Sequence, residues 1–390
     1  MQTISAESRL RLLPYSGIVN RAVAASRAIT KDGSLVSRQR HFVIFCLKNA
    51  IYDFFLPDLP PNEKNYVIAC YTASLTESET LLCRSIRTAT VKKYLDAVSE
   101  LFLSVNLHDP VKNLQGIRSP YIEAVLKEHL RWETVPNRRE PLTYDMVDYA
   151  YMSLRTSMIH DTNFHPDSLE ECLCDWLILG MQTGARLSEW CQDHKKLQKT
   201  KLPEKNIDGS PKAFIFHDFN FLNSNNVRRS NEFTSHINDA QHVQITWRYQ
   251  KNNDNGQKLI FTANDEKPHR CPVRAAMRIR ARAQKYGIAA TSPLAFYREE
   301  NGKIAFITSK QVEIFLQHLA KKVYNITDKQ ELARFTCHSI RVGACVVLHE
   351  NNCSGEFIKV RLRWRSEAFL LYLRNTTKLA ELHNIAINAA

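Results

Sequence analysis

Two clusters near the C-terminal end of the chain carry groups that could act together on one anion. The first is His338-Ser339-Ile340-Arg341; the second runs from Arg361-Leu362-Arg363-Trp364 to Phe369-Leu370-Leu371-Tyr372. The stretch is basic, because Lys359, Arg361, Arg363, Arg365 and Arg374 are answered only by Glu356 and Glu367. A phenol is a poor nucleophile toward a phosphodiester unless cations hold the phosphate and offset the charge that develops during attack. Here a lone Tyr372 follows a His-x-x-Arg pair and an indole, which is the composition such chemistry requires. On a helix, His338 and Arg341 share one face.

Further cations lie upstream. Arg186 sits in Gln182-Thr183-Gly184-Ala185-Arg186-Leu187-Ser188-Glu189-Trp190, where Gly184 allows a tight turn between apolar helices. Arginine is the residue suited to bidentate phosphate binding. Lys251 follows an alternating strand at the tip of a hairpin, with Lys258 across the turn as its rival. Singly, each of these residues has a plain structural reading. Arg186 could be a surface partner of Glu189, Trp364 a core residue, Tyr372 a helix-packing residue and either lysine merely solvated. Their joint occurrence in this order favours a shared site.

Several elements must position these groups. Helical patterning begins near Arg38 (Phe42, Ile44, Phe45, Leu47, Ile51) and breaks at Pro57 and Pro60-Pro61. Tyr66–Leu75 is a second apolar segment, and Val91, Tyr94, Leu95, Val98, Leu101 and Phe102 recur at helical spacing in a third. Pro120–Trp132 is a fourth. The run Thr134-Val135-Pro136-Asn137-Arg138-Arg139-Glu140-Pro141 is polar, basic and bracketed by prolines, so 134–142 is expected to be a linker. A partly ordered lead-in over 1–35 and a helical domain over 36–133 are expected before it, and a second domain over 143–376 after it.

In that second domain, Thr143 is a candidate N-cap and Leu169–Leu179 a strongly apolar helix. Strand character follows in Ala213–Phe216, Val243–Tyr249 and Lys258–Thr262, the last two joined across Asn252-Asn253-Asp254-Asn255-Gly256. Pro272 opens a basic helix to about Tyr286, and 308–374 is helical by pattern. The fold class is therefore mostly α with a small antiparallel β-sheet. Beyond Tyr372, Leu379, Leu382, Ile385 and Ala386 form a short apolar stripe within 377–390. A helix so short must bury that stripe, on its own domain or on a neighbouring protomer.

A net charge of +13 and a pI near 9.2 point to a polyanionic partner, nucleic acid first and an anionic membrane surface second. No apolar run reaches the ~18 residues that a bilayer span needs. The N-terminus carries acid early and lacks an apolar core, so no secretory signal is expected. Ten cysteines are scattered, and Cys172-x-Cys174 has the wrong spacing for a zinc ribbon or finger. Reduced thiols are expected, with Cys46, Cys70 and Cys345 in apolar patterns.

Taken together, Thr-Gly-x-Arg-x-x-Glu, a hairpin Lys, His-x-x-Arg, Trp and a terminal Tyr resemble the tyrosine recombinase (phage integrase) family over most of residues 140–374. The ending Leu-Arg-Trp-x-Ser-x-Ala-Phe-Leu-x-Tyr-Leu-Arg is most similar to recombinases of eukaryotic mobile elements such as cryptons and their plasmid-borne relatives. The family's usual Gly before Trp364 is Arg363 here, and the 190–245 insert is long.

The resemblance implies a core-binding helical domain, an α+β catalytic domain and site-specific DNA recombination through a 3′-phosphotyrosyl intermediate, for integration, excision or resolution of a mobile element or plasmid. Tyr372 would be the nucleophile, Arg186 and Arg341 the phosphate clamp, and Lys251 the general acid. His338 would move the phenolic proton, Trp364 would hydrogen-bond a phosphate oxygen, and Glu189 would orient His338 or Arg186. Arg138, Arg139, Lys359, Arg361, Arg363 and Arg365 are expected to face DNA. Neither a metal nor a nucleotide cofactor is implied. The partners are double-stranded DNA and further copies of the chain, a tetramer in the synaptic complex, with no membrane. The place of action is intracellular: nucleus or organelle nucleoid in a eukaryote, cytoplasm in a bacterium. The rival readings are a type IB topoisomerase-like nicking-resealing enzyme and a degenerate protein that binds DNA without cutting it.

Overall fold

The computed structural model describes residues 29–77, 86–134, 138–160, 167–206, 209–225, 239–250, 254–373 and 377–388. The chain divides into two compact units, Met1–Pro136 and Asn137–Ala390.

The first unit contains helices α1 (Ile29–Lys48), α2 (Pro61–Thr76), α3 (Thr88–Ser104) and α4 (Pro120–Trp132). Prolines open α2 and α4, where the missing N–H has no helical partner in any case. On α3 the periodic residues Val91, Leu95, Val98 and Phe102 are buried while Lys92 and Lys93 are exposed. That stripe packs with Phe42, Ile68, Tyr71, Leu75, Ile122 and Leu126 into one core. Helix α1 begins earlier than expected, inside the stretch read as a lead-in. Nothing between Ile29 and Arg38 breaks a helix except Gly33, which costs only ~1 kcal/mol there. Residues 1–28 lie outside the described residues.

The second unit begins with α5 (Tyr144–His160), α6 (Leu169–Thr183), α7 (Leu187–Trp190) and α8 (His194–Thr200). Strands β1 (Phe219–Leu222), β2 (His242–Trp247) and β3 (Gln257–Thr262) form an antiparallel sheet in that order. Then come α9 (Pro272–Lys285), the hairpin β4 (Phe296–Arg298) and β5 (Ile304–Phe306), and α10 (Ser309–Tyr324). The remaining helices are α11 (Lys329–Leu332), α12 (Ser339–Glu350), α13 (Gly355–Leu362), α14 (Leu370–Leu373) and α15 (Thr377–Asn388).

Helix α6 is the axis of this unit. It is buried on nearly every side, which its apolar composition permits, and it packs against α5, α9 and α12. Its buried Asp175 is compensated by two arginines of α9, Arg278 at 2.6 Å and Arg282 at 2.9 Å. Strand β2 buries Val243, Ile245 and Trp247 in alternation, and Gly256, at φ +82°, closes the β2–β3 end by donating to Trp247 O at 2.8 Å.

Three expectations are corrected. Ala213–Phe216 is not a strand: buried Asp218 accepts from Ile215 N at 2.8 Å and turns Phe216–Asp218 into a 3-10 helix, so pairing starts at Phe219. The β4–β5 hairpin falls where no strand was read, because each strand is only three residues long and too short to display a period. The free linker is also shorter than 134–142. Glu140 N donates to Arg334 O at 3.2 Å, Arg334 Nε to Arg138 O at 3.0 Å, and Leu142 N to Ser339 O at 2.9 Å. Residues 138–142 are thus strapped to the second unit, and 135–137 lie outside the described residues. Thr143 does cap α5, accepting from Met146 N at 3.4 Å. Cys46 and Cys345 are buried, whereas Cys70 is exposed.

Helix α12 lies close enough to the strap that a Cβ on buried Gly343 would collide with the Leu142 carbonyl and lie 3.0 Å from Met181 Sδ. Gly343→Ala should destabilise the second unit by about 1–3 kcal/mol through overpacking against backbone that cannot retreat. Gly33→Ala, with nothing within 4 Å of its Cβ, should instead add a few tenths to about 1 kcal/mol to α1. Denaturant melts of the two variants check the contrast.

Candidate active site

Thr183 ends α6 and Gly184 caps it at φ +56°, donating to Gly180 O at 2.8 Å. A Cβ on Gly184 would sit 2.7 Å from Leu362 Cδ2, so glycine is required there both for conformation and for space. The turn brings Arg186 to the start of α7. Its backbone N–H donates to Glu189 Oε2 at 2.9 Å and its Nη1 to Glu189 Oε1 at 3.0 Å. With 21% side-chain exposure, the Arg186 guanidinium keeps an open side.

Arg341, on the first turn of α12, is 3% exposed. It donates to Gly184 O at 2.5 Å and Leu362 O at 2.6 Å, and its guanidinium lies 4.4 Å from the Trp364 ring centre. These bonds join the end of α6 to the end of α13 through one cation. His338, just before α12, has its Nε2 at 2.7 Å from Tyr372 Oη, with the two rings edge to face at 5.5 Å. Trp364 also packs against the phenol, 5.7 Å between ring centres. Its buried Nε1–H has no hydrogen-bond partner among the described residues.

Arg139, Arg186, His338, Arg341, Trp364, Arg365 and Tyr372 line a single cleft of about 650 Å³. The charge in the cleft is lopsided. Among the described residues, four arginines share the wall with one carboxylate, Glu313. Partial burial, with Arg341, Arg139 and Arg186 nearby, lowers the His338 pKa from its ordinary 6.5. Burial raises that of Tyr372, against the opposing pull of Arg341. Burial, Arg186 and Arg363 depress that of Arg341, which stays cationic at neutral pH. The pair at neutral pH is therefore a neutral imidazole against an un-ionised phenol. Such a pair passes a proton from Oη to Nε2 when an anion-stabilising cleft favours the phenolate.

The structure brings together Arg186, His338, Arg341, Trp364 and Tyr372. Lys251 lies outside the described residues, but both ends of its loop are tied to the Trp364 segment. Gln250 Oε1 accepts from Arg363 Nε at 3.2 Å, and Asp254 accepts from Arg365 Nε at 2.9 Å. Lys258 is exposed on β3 opposite Thr246. Of the two residues that Glu189 was expected to orient, it contacts Arg186, and its other arginine contact is Arg363.

The six residues expected to face DNA separate into groups. Arg139 and Arg365 line the cleft. Arg138 reaches toward Leu371 O at 3.5 Å. Lys359 is held between Glu356 at 3.0 Å and Glu367 at 2.7 Å, while Arg361 covers the Phe261 ring at 4.7 Å. Arg363 corrects the expectation: it is 5% exposed and points into the protein. Trp247 and Gln250 complete its surroundings and were not singled out from sequence. Trp247 shows there only as an inward position of an alternating strand, and Gln250 carries no signal. Among the described residues, no group of three or more His, Cys, Asp or Glu side chains is placed to hold a metal, and no helix is long and apolar enough to cross a membrane.

No family model matches this sequence, and no curated protein does. Solved structures similar to it include the Tn1549 transposon integrase in complex with transposon right end DNA, at TM-score 0.43 and 15% identity, covering 86% of this chain and 87% of that one. The XerH site-specific recombinase bound to difH substrate aligns at TM-score 0.46 and 12% identity, over 88% and 76%. A lambda integrase dimer bound to a COC′ core site aligns at 0.43 and 14%, over 92% and 95%.

The charge surroundings of His338 are directly measurable. In selectively labelled protein its imidazole resonances should titrate below 6.5. Arg139→Ala, which removes one cation from an exposed position, should move the midpoint back up. A lower pKa in the folded protein means the imidazole is already neutral at pH 7 and gains its proton only on further acidification.

Proposed function

We propose that the chain is a site-specific DNA recombinase that cuts and rejoins duplex DNA through a phosphotyrosyl bond. The observation that carries this reading is the 2.7 Å contact of Tyr372 Oη with His338 Nε2 inside a cleft walled by Arg186 and Arg341. Tyr372 attacks phosphorus, the P–O5′ bond breaks, and a 3′-phosphotyrosyl link and a 5′-hydroxyl result. The phenolic proton passes to His338. Arg186 and Arg341 stabilise the non-bridging oxygens, and the Trp364 N–H, without a partner among the described residues, is a donor for one of them. Lys251 supplies the proton to the leaving oxygen. Reversal with another 5′-hydroxyl rejoins the strands, and the covalent link conserves the phosphoester so that no nucleotide cofactor is consumed.

The cleft arginines and the net charge of +13 support a duplex DNA partner with strongly salt-dependent affinity. Copies assemble on DNA, as a tetramer when two sites are joined. Exposed Ile385 and Ile387 on α15 support a contact in trans; the Leu379, Leu382 and Ala386 side chains lie outside the described residues. The protein acts where its element's DNA resides, whether nucleus, organelle nucleoid or bacterial cytoplasm, and serves integration, excision or resolution.

Tyr372→Phe should abolish the denaturation-resistant protein–DNA adduct on nicked duplex carrying the element's ends, while duplex binding persists. Arg186→Ala should slow cleavage by about 10²–10³, the usual cost of losing one preorganised donor. An adduct in the Phe variant would rule out Tyr372 as the nucleophile.

Lys251→Ala should slow cleavage of ordinary DNA and regain its rate on a 5′-bridging phosphorothiolate, whose leaving group needs no proton. Such rescue in Lys258→Ala instead would transfer the role to Lys258.

A further inference from the structure

Arg363 is placed at a double cost. Its backbone sits at φ +58°, a region that L side chains other than Asn and Asp rarely occupy, and its guanidinium is buried. A buried cation is destabilising unless partners offset its lost hydration. The partners are specific. Nη2 donates to Glu189 Oε2 at 2.9 Å, Nη1 to Thr183 O at 3.0 Å and Nε to Gln250 Oε1 at 3.2 Å, while the Trp247 ring centre lies 3.9 Å from Cζ. Removal from water lowers its pKa, against the pull of Glu189, and it remains cationic at neutral pH.

Glu189 makes sense of that cost. Its carboxylate is 5% exposed and accepts from Arg186 twice, from Trp247 Nε1 at 3.0 Å and from Arg363. With Arg186 as its one cation, Glu189 would cancel the charge that Arg186 has to offer a phosphate. A second buried cation removes that conflict.

We propose that Arg363 is a positioning residue that takes up the negative charge of Glu189, so that Glu189 fixes the direction of Arg186 without neutralising it. Arg186 then presents a net positive charge to the scissile phosphate. The same side chain, through Thr183 and Gln250, holds the end of α6 and the base of the Lys251 loop in register with Trp364, its neighbour in sequence. This inference rests on the recombinase reading and adds to it the source of the cleft's charge.

The experiment uses the full-length chain and a nicked duplex carrying the element's ends. Arg363→Met, which keeps bulk and removes charge, should lower the single-turnover cleavage rate by about 10- to 100-fold, the range expected when a group orienting a site residue is lost. Duplex affinity should change less than threefold. Glu189→Gln combined with Arg363→Met removes both charges and should restore most of the rate. The defect of Arg363→Met should also shrink on DNA whose scissile phosphate is a neutral methylphosphonate, because Arg186 then meets no anion. Circular dichroism melts identify any variant that fails to fold, in which case the doubly neutral variant and its Glu189→Gln parent carry the comparison. Normal cleavage by folded Arg363→Met, or an equal defect on the methylphosphonate, would overturn the charge-balancing role. Absence of any covalent adduct with the unaltered protein would overturn the recombinase reading, and this inference with it.

Discussion

Glu189 is the carboxylate on which the site depends. A buried anion must be matched by cations and N–H donors or it will not stay ionised. Here the match comes from three parts of the chain: Arg186 just before it on the same turn, Trp247 at the end of β2, and Arg363 after α13. Satisfying one acid therefore fixes the end of α6, the sheet and the segment that leads to Tyr372. Losing either arginine would leave the carboxylate less fully compensated in a dry interior, whereas losing the neutral Trp247 N–H would remove one hydrogen bond.

Around that centre the cations divide their work. Arg341 spends two of its donors on backbone carbonyls, Gly184 O and Leu362 O, and so serves as a rivet as well as a cleft wall. Arg186 keeps an open side. Arg363 and Arg365 flank Trp364 and secure Gln250 and Asp254 at the two ends of the Lys251 loop. The alternation places consecutive residues in opposite roles: inward brace, cleft indole, outward brace.

The sequence made some of this legible and hid the rest for physical reasons. Gly184 before Arg186 showed a helix end, because only glycine sits there without strain and without striking Leu362. The stripe Val91, Leu95, Val98, Phe102 gave α3 by period alone. The strand read at Ala213–Phe216 failed because four apolar residues in a row have no period, and buried Asp218 decided the backbone instead. Arg363 was read as surface because it stands among exposed basic residues. Its burial is set by Glu189, 174 residues earlier, a pairing that no local pattern reveals. The strap was misread for a similar reason: proline-flanked polar residues look solvated until their backbone partners, Arg334 and Ser339, are known.

That strap has a mechanical side. Residues 138–142 lie along the segment 333–339, bonded at Ala333, Arg334 and Ser339. Bonds spaced along a chain and pulled parallel to it share the load, unlike bonds peeled from one end. The last anchor, Ser339, is the residue next to His338 in the chain. A pull along the strap would be shared by bonds that end beside the imidazole. The protein has, in effect, a tendon inserted beside the imidazole that meets Tyr372 Oη.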